Sequence, residues 1–197
     1  ARCNACASWR VATSRVGAIL MADRITQLQA LVQEADSLDI NAEWLDYDGV
    51  VEYYPEELVM TVRAGTTIAE IKKQLSKNNQ SLTFYTKDDN DSIGAVYADG
   101  GQDISDSVLG IQIIDGDGEA LNFGGQVMKN VAGYDVARLL VGSKGKLAVI
   151  TQISFKVLPS AYVGELNTPV KSNNNSVLRG GIEKRLKSVF DPRGIFQ

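Results

Sequence analysis

GGQVMKNVAGYDVARLLVGSKGKLAVITQISFKVLP, residues 124 to 159, decides how this chain folds. Its second half is the clearest strand in the sequence. Leu147, Val149, Thr151, Ile153, Phe155 and Val157 alternate with Ala148, Ile150, Gln152, Ser154 and Lys156. Period-2 alternation puts one set toward a core and the other toward a second layer or solvent, and Pro159, which cannot donate to a ladder, ends the run. In the first half, Gly124 and Gly125 open a loop, residues 135–140 predict a short helix, and Gly142 and Gly145 close it. A sheet with at least one long central strand, fed by a glycine-rich crossing, is the expectation.

Working outward, Asp115-Gly116-Asp117-Gly118 separates the apolar runs 108–114 and 119–123, a hairpin signal because glycine supplies the positive φ of tight turns. The same Asp-Gly repeat lacks the further ligand spacing of a calcium loop, so a turn is the reading. Residues 58–63 alternate as a strand, and 50–54 form a shorter one stopped by Pro55. Thr67 followed three residues later by Glu70 is a capping-box pattern that starts a helix over 67–78. Ile25, Leu28, Leu31, Val32 and Ala35 predict a helix over 24–37, and Leu178, Ile182, Leu186 and Phe190 another over 177–190. Residues 83–107 are polar and acidic, broken only by Ser92–Ala98, and 160–176 read as a linker. Strands and helices mix with hairpins and without a βαβ repeat, so the fold class expected is α+β, a mixed or antiparallel sheet flanked by helices.

Composition removes several functions. The chain has 197 residues, 44% hydrophobic and 22% charged, with a net charge of −4. It can bury a real core, and its field repels polyanions, which sets nucleic acid aside. There is no His at all. That excludes Ser-His and Cys-His nucleophile pairs, an imidazole base and a histidine-tethered flavin. Cys3 and Cys6 are the only two cysteines. Their spacing, with no second pair, is not a metal set, and no metal ligand or catalytic acid or base is assigned. No stretch reaches the roughly 18 apolar residues of a membrane helix. Residues 1–22 carry Arg2, Arg10 and Arg15 with no acidic residue, ahead of Met21 and a helix signal; they read as a leader outside the fold.

The ordered set of glycine loop, Lys129-Asn130-Val131-Ala132-Gly133-Tyr134-Asp135 turn, Gly142-Ser143 and long alternating strand resembles the signature of the FAD-binding subunit family of glycolate oxidase, flavoproteins of the PCMH-type fold. Val50–Leu75, Asp106–Gly125 and Arg185–Phe196 resemble other parts of the same family. The resemblance implies an FAD-binding domain over 23–159, mainly its second lobe, with a truncated first lobe at 23–49, the 160–176 linker in place of a cap lobe, and a C-terminal helix and tail over 177–197. It implies FAD contacts at Ile93, Gly94 and Ala98, at Asn130, Val131, Ala132 and Gly133, and at Gly145, Val149 and Ile150, with Lys129 and Tyr134 as polar groups near the ring. It also implies an oxidoreductase, a flavin-mediated electron-transfer subunit working in the cytoplasm beside a second flavoprotein subunit and an iron–sulfur subunit, through which it would reach the inner membrane. The alternative expectation is a cofactor-free remnant or assembly module of the same fold.

Two departures bear on the cofactor. Between Gly17 and Gly49 there is no glycine, so the family's main diphosphate loop is missing. Asp88, Asp89, Asp91, Asp99, Asp103 and Asp106 surround the second loop. Unit charges about 4 Å apart repel by about 4 kcal/mol at an effective dielectric near 20, so carboxylates aimed at a diphosphate would oppose it.

Overall fold

A computed structural model of the chain describes residues 24–38, 47–126, 135–166 and 177–196. The leader 1–22, the turn residues Lys129 to Tyr134 and most of the 160–176 linker lie outside the described residues. The elements in chain order are α1 (Arg24–Glu34), β1 (Val50–Tyr54), β2 (Val59–Arg63), α2 (Ile68–Ser76), β3 (Gln80–Leu82), α3 (Ile93–Asp99), α4 (Gln102–Ser107), β4 (Val108–Ile114), β5 (Ala120–Gly124), α5 (Val136–Leu139), β6 (Val149–Pro159), a 3₁₀ turn at Ser160–Tyr162, and α6 (Val177–Phe190). This is the α+β arrangement expected.

The sheet is antiparallel, in the order β1-β2-β6-β4-β5, with β3 pairing the far end of β6. The long strand quoted above is its centre, bonded to β2 on one side and β4 on the other. One sheet face is the main core. Met60, Val62, Ile111, Ile153, Phe155 and Val157 meet Ile68, Ile71 and Leu75 of α2 and Ile93 and Tyr97 of α3 there. Each such side chain, taken fully out of water, contributes roughly 1.5–3 kcal/mol. A second, smaller core lies on the opposite face, where Ile114 and Val149 are covered by Leu28 and Val32 of α1, Leu38, Ile195 and Phe196.

The alternation of β6 holds only in part. Gln112 pairs with Gln152 and Ile113 with Ile150, so Thr151 is an extra residue, a β-bulge. Its hydroxyl donates to the Gln112 carbonyl at 3.0 Å. The bulge reverses the facing of the residues before it: Ile150 joins the main core, and Val149 turns to the second. The strand also begins at Val149 and not at Leu147, because residues 140–146 form turns. Likewise Leu58, expected as the first residue of β2, has φ 59 and ends the β1–β2 turn.

In the acidic stretch 83–107, two short helices and the preceding strand β3 went unpredicted. Ser92 caps α3 through the Ala95 amide at 3.2 Å, a local signal hidden by the surrounding aspartates. Thr67 caps α2 as expected, accepting from the Glu70 amide.

Candidate functional site

α3 is held at both ends by turns from distant parts of the chain. At its start, the Ile93 amide donates to the Thr66 carbonyl and the Gly94 amide to that of Ala64, each at 2.9 Å. Gly94 is needed for this approach, since a Cβ there would lie 2.9 Å from the Ala64 oxygen. The Ala64–Thr66 turn is fixed by the buried Thr66 hydroxyl, which donates to the Arg63 carbonyl at 2.7 Å and accepts from the Gly49 amide at 2.9 Å. At the other end of α3, the Gly142 amide donates to the Tyr97 carbonyl at 3.0 Å and the Lys144 amide to that of Ala98 at 2.9 Å.

Between those ends, the buried Tyr97 hydroxyl donates to the Ala137 carbonyl of α5 at 2.5 Å. Burial pushes the phenol pKa far up, and the nearby charge of Asp135 adds to this, so it stays a donor. α3 is thus tied to the 64–66 turn, to α5 and to the 140–146 turn. The last of these is tied onward, because Lys187 of α6 donates to the Lys146 carbonyl at 2.8 Å.

The predicted positions fall into three groups. Ile93, Gly94, Ala98, Gly145 and Ile150 come together around α3, with Ala98 and Gly145 half-buried and the others buried. Val149 is adjacent in the chain, but the bulge sends its side chain into the second core under α1, away from α3. Asn130, Val131, Ala132 and Gly133, with Lys129 and Tyr134, lie outside the described residues. Sequence reasoning missed Thr66 and Tyr97, which do most to position α3; a lone buried hydroxyl leaves no periodic signal.

The test of a dinucleotide's fit is whether backbone donors remain for its diphosphate. In the first turn of α3 they do not: the amides of Ile93, Gly94, Ala95 and Val96 meet Thr66, Ala64, the Ser92 hydroxyl and the Ser92 carbonyl. Gly100 is also committed internally, since a Cβ there would stand 2.6 Å from the Gly142 Cα. The first turn of α3 therefore offers no free amide for a diphosphate grip.

Several of the acidic residues have structural duties. Asp103 accepts the Tyr85 amide at 2.6 Å, Asp88 the Asn90 amide at 2.9 Å, and Asp106 the Gln102 side chain at 3.1 Å. Asp89 pairs with Lys72 at 2.5 Å. Among the described residues no group of His, Cys, Asp or Glu could hold a metal. An open groove of about 580 Å³ lies elsewhere, between α2, β3 and residues 160–166, and includes none of the predicted positions.

No family model matches the chain. The chain is similar to proteins of the FAD-linked oxidoreductase class: an uncharacterized FAD-linked oxidoreductase of Mycobacterium tuberculosis is 27% identical over 118 residues, 56% of this chain and 26% of that protein. Within that class the chain is similar to glycolate oxidase subunits. Subunit GlcE of Escherichia coli is 45% identical over 121 residues, 56% of this chain, and subunit GlcD of Bacillus subtilis is 41% identical over 54 residues, 27% of this chain. The matched stretches span 35% and 12% of those two relatives. Among solved structures, an alkyldihydroxyacetonephosphate synthase is 24% identical with a TM-score of 0.47, covering 56% of this chain and 21% of the other. No helix among the described residues is long and apolar enough to cross a membrane.

Proposed function

We propose that the chain is the second-lobe portion of an FAD-binding subunit of the glycolate oxidase type, a PCMH-type flavoprotein that takes reducing equivalents from a 2-hydroxy acid into an electron-transfer complex. The observation that carries this reading is the joining of α3 to the 140–146 turn through the Tyr97 and Ala98 carbonyls, because it unites two segments that both resemble cofactor-contacting parts of that family. FAD, when bound, supplies a two-electron acceptor that can release electrons singly.

The chain's own contribution is positional. Ala98 and Gly145 present small, uncharged surface beside which a flat ring can lie, and Ile93 and Ile150 back that wall from the core. Tyr97 and Thr66 hold it still. Residues 127–134, whose Asn130–Gly133 stretch resembles the family's turn next to the cofactor, are assigned the remaining contacts. Partner subunits, a second flavoprotein and an iron–sulfur protein, would carry the electrons onward in the cytoplasm or at the inner membrane.

A second reading has its own support. Because the first-turn amides of α3 are already satisfied, the fold stands without a ligand, as a cofactor-free assembly module would. The visible spectrum of the purified protein separates the two. Stoichiometric flavin absorbance is expected, together with stabilisation by added FAD of about 2.7 kcal/mol at a hundredfold excess over Kd. A colourless protein whose melting is indifferent to FAD would leave the assembly module as the function.

A further inference from the structure

After β5 the chain does not simply leave the sheet. Gly124 takes φ +73, and the Gly125 amide donates to the Leu109 carbonyl at 3.2 Å, which lays residues 124–126 back over β4. This strap lies flat because Gly110, beneath it, has no side chain: a Cβ on Gly110 would stand 2.7 Å from the Gly125 oxygen and 2.8 Å from its nitrogen. The Gln126 side chain then reaches across to the other half of the sheet. Its amide nitrogen donates to the Thr61 hydroxyl of β2 at 3.2 Å and to the Glu52 carboxylate of β1. Thr61 in turn shares a hydrogen bond of 2.8 Å with Ser154 of β6.

The Glu52–Gln126–Thr61–Ser154 chain therefore spans β1, β2 and β6 and ends on the residue from which the chain departs into 127–134. Two features argue that this is a latch and not an incidental surface contact. Gln126 is bound at its tip by two strands far from it in sequence, and Thr61, which it meets, is only 6% exposed. The pairing is also directional. A glutamine donor faces a carboxylate acceptor, so exchanging the two residues preserves the bond, while changing one alone sets two carboxylates against each other.

We infer that Gln126 is a positioning residue, latching the 124–126 strap to the sheet through Glu52 and Thr61 and so fixing the point from which the chain continues into residues 127–134. Its consequence for a cofactor rests on the proposed function; the latch itself does not. The test compares the whole chain with Gln126→Glu and with the double variant Glu52→Gln/Gln126→Glu. Tryptic cleavage after Lys129 in the folded protein reports release of the strap, and cleavage after Lys87, in the exposed loop before α3, is the internal control. Titration with FAD is the second readout.

The single variant should speed cleavage after Lys129 about tenfold, equivalent to about 1.4 kcal/mol of lost latch energy, with the Lys87 rate and the global melting temperature unchanged. It should weaken FAD binding in proportion. The double variant should return both to within about twofold of wild type, the reciprocity expected of a coupled pair. An unaltered Lys129 rate in the single variant, or no recovery in the double, overturns the latch. Cleavage that follows this pattern in a protein that binds no FAD supports the latch and removes the cofactor reading instead.

Discussion

Asp191→Asn tests whether one buried carboxylate holds the C-terminal tail, α1 and the 140–146 turn together. Asp191 directly follows α6 and is only 2% exposed. One oxygen accepts the Ile195 amide at 2.9 Å; the other accepts the Phe196 amide at 3.0 Å and the Lys187 ammonium at 2.7 Å. These bonds fold the tail back so that Ile195 and Phe196 enter the second core against Leu28, Val32, Ile114 and Val149. The same Lys187 donates to the Lys146 carbonyl, so the candidate site shares the anchor. Asparagine has nearly the same shape and leaves no cavity. It keeps one acceptor, loses the ion pair and turns an NH₂ toward an amide.

Hydrogen bonds to charged groups are worth about 1.5–3 kcal/mol each, and Lys187 retains its carbonyl partners, so the net loss expected is about 3–4 kcal/mol. At about 2–4 °C per kcal/mol for a chain of this size, melting should fall by roughly 6–16 °C. The pH dependence gives the sharper check. Burial works against the charge of Asp191, but the Lys187 hydrogen bond and the two backbone amides outweigh it, and its pKa is lowered on folding. Its stabilisation is therefore fully present above the unfolded carboxylate value near 3.9 and is lost as pH falls through the lower, folded value. In urea unfolding followed by circular dichroism, the gap between wild type and variant should be widest at pH 5–7 and narrow steadily below about pH 4. A gap that stays constant down to pH 3, or one below about 0.5 kcal/mol at neutral pH, refutes the reasoning.

Two smaller perturbations probe the elements around this anchor. Gly110→Ala should cost about 1–3 kcal/mol in urea unfolding, because its new methyl group meets the Gly125 backbone, whereas Gly125→Ala, whose Cβ would find nothing within 4 Å, should stay within about 0.5 kcal/mol of wild type. Arg193→Ala removes the guanidinium that donates to the Val32 carbonyl at 3.1 Å and the Ala35 carbonyl at 2.7 Å at the end of α1; amide hydrogen exchange across Leu28–Ala35 should accelerate by about tenfold, and equal protection would show that α1 is held by its apolar face alone.

What the sequence disclosed followed from periodicity. The β4–β5 hairpin, β2, the Thr67 cap and most of β6 could be read because each is a run in which burial and hydrogen bonding repeat every two or four residues. α3 and α4 could not: the apolar run Ile93–Ala98 is barely two turns long and Ile104 stands alone, both between aspartates, and tertiary packing makes the helices what they are. Thr151 is the same failure in a strand. Nothing in Val149-Ile150-Thr151-Gln152 announces that one residue is left out of the pairing, yet that residue decides which of its neighbours faces α3.

The candidate site failed to declare itself for a deeper reason. A glycine marks a place where something comes close to the backbone, and the sequence does not say what. At Gly94, Gly100 and Gly110 the close neighbours are Ala64, Gly142 and Gly125, so what comes close is the chain itself. Two of the segments to which the resemblance pointed, α3 and the 140–146 turn, do meet. The physics of the meeting is internal: their amides bind protein oxygens, so the two segments brace one another. Affinity for a diphosphate cannot draw on the first-turn amides of α3, and for that reason the latch at Gln126, which sets where the next segment begins, matters more than the glycines that first drew the eye.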